Sequence, residues 1–286
     1  MSFDKLLEEN EKAYDAMMAK YKEQTTKQFV SDDDRLWYPQ ADKAGNGSAL
    51  IRFLPHKEET RVPWVQQFQH AFQGPSGIWL IENCPTTLKR PCPICEANSK
   101  LWNEGGKGQD LARKQKRKVY YYSNAYIIKD PGNEENNGQV KIFRYGQKIY
   151  QMLMSKLFPD TALKEVKKID PFHLIKGCDF QLVFNKGAGG FRSYDHSTFH
   201  DVGPLLDGDK ESLREVYDSM YDLDEFIDPS IFKSSEELLK RLNLVNGTAV
   251  KAEPEVREQV VVEEPALDLD VPEVTDFDAF FDELKD

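Results

Sequence analysis

Apolar residues fall into two rhythms along this chain, one of three to four residues and one of two, broken by stretches of Gly, Asn, Asp and Pro. The longer period marks helices. Phe3, Leu7, Tyr14, Met17 and Tyr21 predict an amphipathic helix over residues 1–24, which either packs on its own protein or reaches a neighbouring molecule. Ile149, Met152, Leu153 and Leu157 predict another over Gln147–Phe158, and Leu213, Val216, Tyr217 and Met220 mark a third. A fourth opens at Ser234, with Glu237 in capping-box spacing before Leu238, Leu239 and Leu242, and stops at Asn246-Gly247. Apart from these marks, everything between residue 195 and the end of the body reads as helical.

The shorter period marks strands. From Ser48 to Leu54 the residues Leu50, Arg52 and Leu54 take one side, with Ala49, Ile51 and Phe53 on the other. Arg52 in such a strand is either salt-bridged or aimed at an anion. In V-Y-Y-Y-S-N-A-Y-I-I, residues 119–128, Tyr120, Tyr122 and Tyr126 share one face and Tyr121 lies on the other. Val140 to Tyr145 interleaves Lys141, Phe143, Arg144 and Tyr145, and the polar D-P-G-N-E-E-N-N-G before it predicts a hairpin loop. Phe180 to Lys186 is a further strand, turned by G-A-G-G into F-R-S-Y at 191–194. The segment E-G-G-K-G-Q-D, 104–110, reads as a flexible excursion. Strands followed by helices make an α+β protein.

Three of the four cysteines crowd one stretch. Cys92 and Cys95 form C-P-I-C, Cys84 lies eight positions before Cys92, and His70 fourteen before Cys84. Two thiolates three apart on a turn can share a tetrahedral ion, and Cys84 with His70 completes a Cys3His set for one structural zinc. His56 is the other candidate for the fourth place. A redox C-x-x-C and a pair of disulfides using Cys178 are the competing readings. The third cysteine, the missing βαβ context and the lack of a secretory leader weigh against them.

The net charge of -11 argues against a polyanion partner until it is located. Residues 253–286 carry thirteen acids against Arg257 and Lys285, which leaves residues 1–252 neutral. Residues 85–156 hold fourteen Lys and Arg against six acids, a net of +8. A basic middle and an acidic, proline-spaced, disordered end suit a nucleic-acid binder with a regulatory tail. Aromatics interleaved with cations favour single strands, whose bases are free to stack. About half of these aromatics are expected to serve ordinary packing. With no phosphate loop, carboxylate metal cluster or nucleophile set, an enzyme is disfavoured.

Several motifs together resemble one family, the single-stranded DNA-binding (helix-destabilising) proteins of T-even phage replication. They are A-G-N-G-x-A-x-I-R-F-L-P at 44–55, the His70/Cys84/Cys92/Cys95 set, K-R-K-x-x-Y-Y-x-N at 116–124, K-D-P at 129–131, F-R-Y-G-x-K-I at 143–149, G-x-x-F at 177–180, G-F-x-x-Y-D at 190–195 and N-G-T-A-V at 246–250. The resemblance covers about residues 10–250. It implies an OB-fold core over 29–252 with a zinc-bearing subdomain near 64–115, an N-terminal arm (1–28) for self-association along DNA, and an acidic tail (253–286). It implies sequence-independent, cooperative, non-enzymatic binding of single-stranded DNA in replication, recombination and repair, in the cytoplasm of a bacterial host. An RNA-binding or translational repressor module is the alternative. Carried over by position, the groove comprises Arg52, Lys116, Arg117, Lys118, Tyr121, Tyr122, Phe143, Arg144, Phe191 and Tyr194. The arm departs from the family: L-L-E-E-N-E-K is acidic where a basic cluster is expected, and K-Y-K-E-Q-T-T-K at 20–27 is the nearest substitute. Lys89 stands where an aromatic is expected. In the tail, Phe277, Phe280, Phe281 and Leu284 fall at i, i+3, i+4 and i+7, a stripe suited to the groove of a replication or recombination protein.

Overall fold

The computed structural model describes residues 33–58, 60–159, 168–187 and 192–247. The helix expected over 1–24, Phe191 and the tail stripe lie outside them. Nine strands and five α-helices make a mixed α+β architecture among the described residues. The strands are β1 (Leu36–Trp37), β2 (Gly47–Phe53), β3 (Val65–Gln73), β4 (Trp79–Asn83), β5 (Lys118–Lys129), β6 (Val140–Tyr145), β7 (Cys178–Lys186), β8 (Arg192–Ser193) and β9 (Thr198–Val202). The helices are α1 (Pro93–Asn103), α2 (Gly106–Gln115), α3 (Gln147–Leu157), α4 (Lys210–Asp218) and α5 (Ser235–Asn246).

Strand β5 is the hub. One edge carries β6, from Tyr121↔Tyr145 to Tyr126↔Val140. The other edge is shared in succession: β3 takes Lys118 to Tyr122 and β2 takes Ala125 to Lys129, both antiparallel. Strand β7 follows β2, and β9 pairs with β7. Ile51, Phe53, Phe143, Tyr145, Phe180 and Phe184 fill the interior of this sheet, and α3 closes it with Ile149 and Leu153. Asp130 secures the β5–β6 loop. Its buried carboxylate accepts from Trp37 Nε1 at 2.8 Å, Asn136 Nδ2 at 2.8 Å and the Gly132 amide at 3.1 Å.

A second core surrounds the cysteines. Phe72, Leu80 and Ile94 pack there with Leu238, Leu242 and Val245 of α5. Helix α5 begins as its sequence dictates, since Ser234 and Glu237 form the reciprocal capping box and Gly247 closes the far end at φ 71°. Its Val245 carbonyl, a helix-end group with no partner inside the helix, accepts from Ser76 Oγ at 2.6 Å and from the Ser76 amide at 3.2 Å. Buried Glu82 on β4 meets Lys233 Nζ at 2.7 Å and Arg241 Nε at 2.6 Å. The last described helix is thereby fastened to the cysteine subdomain.

Two expectations are corrected. Residues 106–115 are a helix and not part of an excursion. Gly105 and Gly106, at φ 73° and 46°, make the break from α1, and a Cβ on Gly108 would lie 2.4 Å from the Leu101 carbonyl. Glycine is there for close helix approach, and packing outweighs its helix penalty of about 1 kcal/mol. The second is β9, formed where only helix was expected: T-F-H-D-V carries no clear alternation, and its pairing with β7 comes from the ladder. No helix among the described residues is long and apolar enough to cross a membrane.

Candidate metal centre and nucleic-acid interface

Three backbone elements converge on the cysteine cluster. His70 projects from β3, and Cys84 directly follows β4, its amide donating to the Phe68 carbonyl at 2.8 Å. Cys92 is the N-cap of α1, with Pro93 supplying the first helical residue, and Cys95 sits in the first turn. His70 Nε2 lies 3.4 Å from Cys92 Sγ and 3.6 Å from Cys95 Sγ, and Cys84 Sγ lies 3.5 Å from Cys95 Sγ. All four donor atoms fall within 4.8 Å of one another. A tetrahedral site with metal–sulfur bonds of about 2.3 Å has edges of about 3.8 Å, so the cage fits one four-coordinate ion. His56 takes no part; its Nδ1 accepts from the Glu58 amide at 2.9 Å. All four cysteines are free thiols and Cys178 is buried on β7, so neither disulfide forms.

The donors already compete for protons. Hydrogen bonds from Cys92 and Cys95 pull the Cys84 thiol far down, and the same bonds hold Cys92 up and push Cys95 up to about 11. A cation displacing the shared protons would relieve that conflict. Nδ1 of His70 is buried with no hydrogen-bond partner among the described residues, so packing and whatever Nε2 binds hold the ring.

Beside the cage, β5 leaves α2 with its cations exposed. Lys118 faces Gln69, Tyr120 faces Gln67 and Tyr122 faces Arg144 in the ladders, which puts Lys118, Tyr120, Gln69 and Arg144 on one face. The Arg144 guanidinium carbon sits 3.6 Å from the centre of the Tyr120 ring, and its Nη2 donates to Gln69 Oε1 at 3.0 Å. Lys116 and Lys118 are exposed and Tyr120 half-buried. This rim offers positive charge and a supported aromatic surface together.

Residues 45–246 match the family described as gp32 DNA binding protein like. The single-stranded DNA-binding protein of Enterobacteria phage T2 is 35% identical over 254 residues, 87% of this chain and 82% of that protein. Its counterpart in Enterobacteria phage T4 is 35% identical over 256 residues, 88% of this chain and 83% of that protein. A single-stranded DNA-binding protein of Enterobacteria phage RB70 is 40% identical over 98 residues, 33% of this chain and 80% of that protein. The chain belongs to the gp32-like family.

In this member of the family the residues carried over as a groove divide sharply. Arg52 is 1% exposed; its Nε pairs with Asp179 at 2.7 Å, and its other nitrogens reach the carbonyls of His173 and Gly203 at 3.3 and 3.0 Å. The salt-bridged alternative for Arg52 therefore holds, and it offers nothing to a ligand. Phe143, 3% exposed, packs on Trp37 and Phe53 in the core. Tyr121, 3% exposed, stacks on Tyr150 of α3 at 3.9 Å. Tyr122, 5% exposed, stacks on Phe226 at 4.1 Å. Burial pushes the Tyr122 hydroxyl up to about 12 and raises that of Tyr121 further. These four are corrected from groove to interior: α3 covers Tyr121, Phe226 covers Tyr122, Phe143 lies in the main core, and Arg52 on β2 is enclosed by Asp179 and the carbonyls of His173 and Gly203. Arg117 turns toward the cysteines. Tyr194 is half-buried near Phe184, ring centres 6.2 Å apart. Lys116, Lys118 and Arg144 remain on the rim, joined by Tyr120 and Gln69. Tyr120 shares the strand and parity of Lys118, which was the available signal for it.

Proposed function

We propose that this chain binds single-stranded DNA without regard to sequence during phage replication, acting by binding alone. One observation carries the reading: 35% identity to two proteins named for single-stranded DNA binding extends over more than four-fifths of each. The sharing of one edge of β5 by β2 and β3 supports an OB-type core, because a strand that changes partner midway curls its sheet toward closure. Three thiolates and an imidazole favour zinc, and four protein donors leave no open position, so its part is folding and not catalysis. Lys116, Lys118 and Arg144 follow the phosphates, and Tyr120 takes a base on its free face. Coating DNA in recombination and repair uses the same surface.

The test separates charge from stacking. Lys116→Ala and Lys118→Ala should each flatten the salt dependence of binding by about 0.7 in log–log slope. Tyr120→Leu should weaken binding by roughly 1–3 kcal/mol with the slope kept, since stacking releases no counterions. Equal slopes in all three variants would refute this division.

The termini regulate. Residues 1–28 contact the next copy along DNA, and residues 253–286, tethered at high local concentration, compete with DNA for the cationic rim. Once displaced, the stripe Phe277, Phe280, Phe281 and Leu284 becomes available to replication and recombination proteins. Truncation after Lys251 should strengthen binding to short oligonucleotides, most at low salt, and abolish pull-down of those partners. Unchanged affinity and retained partners would leave the tail a solubility role only.

A further inference from the structure

The K-R-K run at 116–118 splits by direction: Lys116 and Lys118 are exposed, while Arg117 between them is half-buried and faces the cysteine cage. Its guanidinium carbon lies 4.4 Å from the centre of the Phe68 ring, two residues before His70 on β3. From that perch Nη1 donates to Thr86 Oγ1 at 2.7 Å and approaches Cys95 Sγ at 3.7 Å. Thr86 Oγ1 in turn lies 3.1 Å from Cys84 Sγ.

We propose that Arg117 and Thr86 are positioning residues of the metal centre, an outer shell that orients and neutralises its thiolates. This rests on the zinc reading above. Arginine has no acceptor, so the Thr86 hydroxyl accepts from it and its single proton is left for Cys84. A metal-ligating thiolate is acceptor-only. The chain Arg117–Thr86–Cys84 therefore runs in one direction, and Arg117–Cys95 reaches a second sulfur from the same group. Three thiolates around a divalent cation leave the cage one negative charge in excess, which is costly in a largely buried site without a cation close by. Arg117 is that cation. The guanidinium sits over Phe68, and its Nη1 addresses the Thr86 oxygen and the Cys95 sulfur; a more strongly hydrated ammonium is less suited to that aromatic perch. Arg117 stands just before β5, where its side chain takes the cage side while Lys116 and Lys118 are exposed.

The experiment measures zinc affinity of the full chain by chelator competition in Arg117→Met, Arg117→Lys and Thr86→Val. The last is nearly isosteric and guards against a folding failure in the first. Arg117→Met and Thr86→Val should each lose 10- to 100-fold in zinc affinity, the usual cost of an outer-shell partner. Arg117→Lys should recover little of it. With zinc saturating, the salt slope of single-stranded DNA binding should be unchanged in all three. Wild-type zinc affinity in both Arg117→Met and Thr86→Val overturns the proposal. A slope lower by about 0.7 in Arg117→Met with zinc affinity retained returns Arg117 to a phosphate. Wild-type protein that takes up no zinc defeats the zinc reading itself, a result distinct from the other two, and this proposal with it.

Discussion

Cys92→Ser is expected to empty the metal centre and unfold residues 65–115 together with α5. Cys92 contributes both a donor atom and buried packing. Structural zinc in small domains supplies about 10–16 kcal/mol of apparent binding energy, as large as the whole net stability of a typical domain. Without the ion, the remaining donors are buried polar groups in a loop built around nothing. Helix α5 goes with it because Leu238, Leu242 and Val245 rest on Cys84, Cys92 and Ile94. Hydrogen exchange should show protection lost in β3, β4, α1, α2 and α5 but kept in β2, β6 and β7. Cys178→Ser, outside the cage, should retain the metal. A Cys92→Ser protein that melts and exchanges as the parent does would exclude a structural metal.

Arg52→Met is the second large effect, and it falls on stability and not on DNA. The change leaves Asp179 without its partner and removes the donor to the Gly203 carbonyl, while the His173 carbonyl keeps the Gly177 amide at 2.9 Å. Breaking a buried pair from one side costs about 3–5 kcal/mol. The lower figure applies because the Asp179 side chain is 27% exposed and keeps some water. A loss of about 3 kcal/mol lowers the melting midpoint by roughly 6–12 °C in a protein of this size. Below that transition the salt slope of DNA binding should equal the parent's. A slope reduced by about 0.7 with an unchanged midpoint would put Arg52 on a phosphate after all.

What could be read in advance was local. The capping box at Ser234 and Glu237 uses residues three apart, and β6 and α3 occur within a residue of their expected bounds because period and flanking turns agree. The His70/Cys84/Cys92/Cys95 cluster was legible because thiolate spacing is itself the signal. What misled was covering by distant chain. Alternation in β5 separates two faces but cannot say which is wet, and here α3 and Phe226 cover both near its centre. Arg52 finds its carboxylate 127 residues away. The glycines of 104–110 look flexible until α2 is seen lying against α1. Arg117 was hidden in a charge run, because its partners Thr86 and Cys95 lie 31 and 22 residues away.

The central claim is tested most directly by titrating the full chain with single-stranded DNA homopolymers, the matching RNA and duplex DNA of equal length. Intrinsic fluorescence followed at several salt concentrations reports binding. Homopolymers of different bases should bind comparably, RNA and duplex more weakly, and every affinity should fall linearly with log salt. Duplex bound as tightly as single strands, or RNA bound more tightly than DNA, would contradict the account.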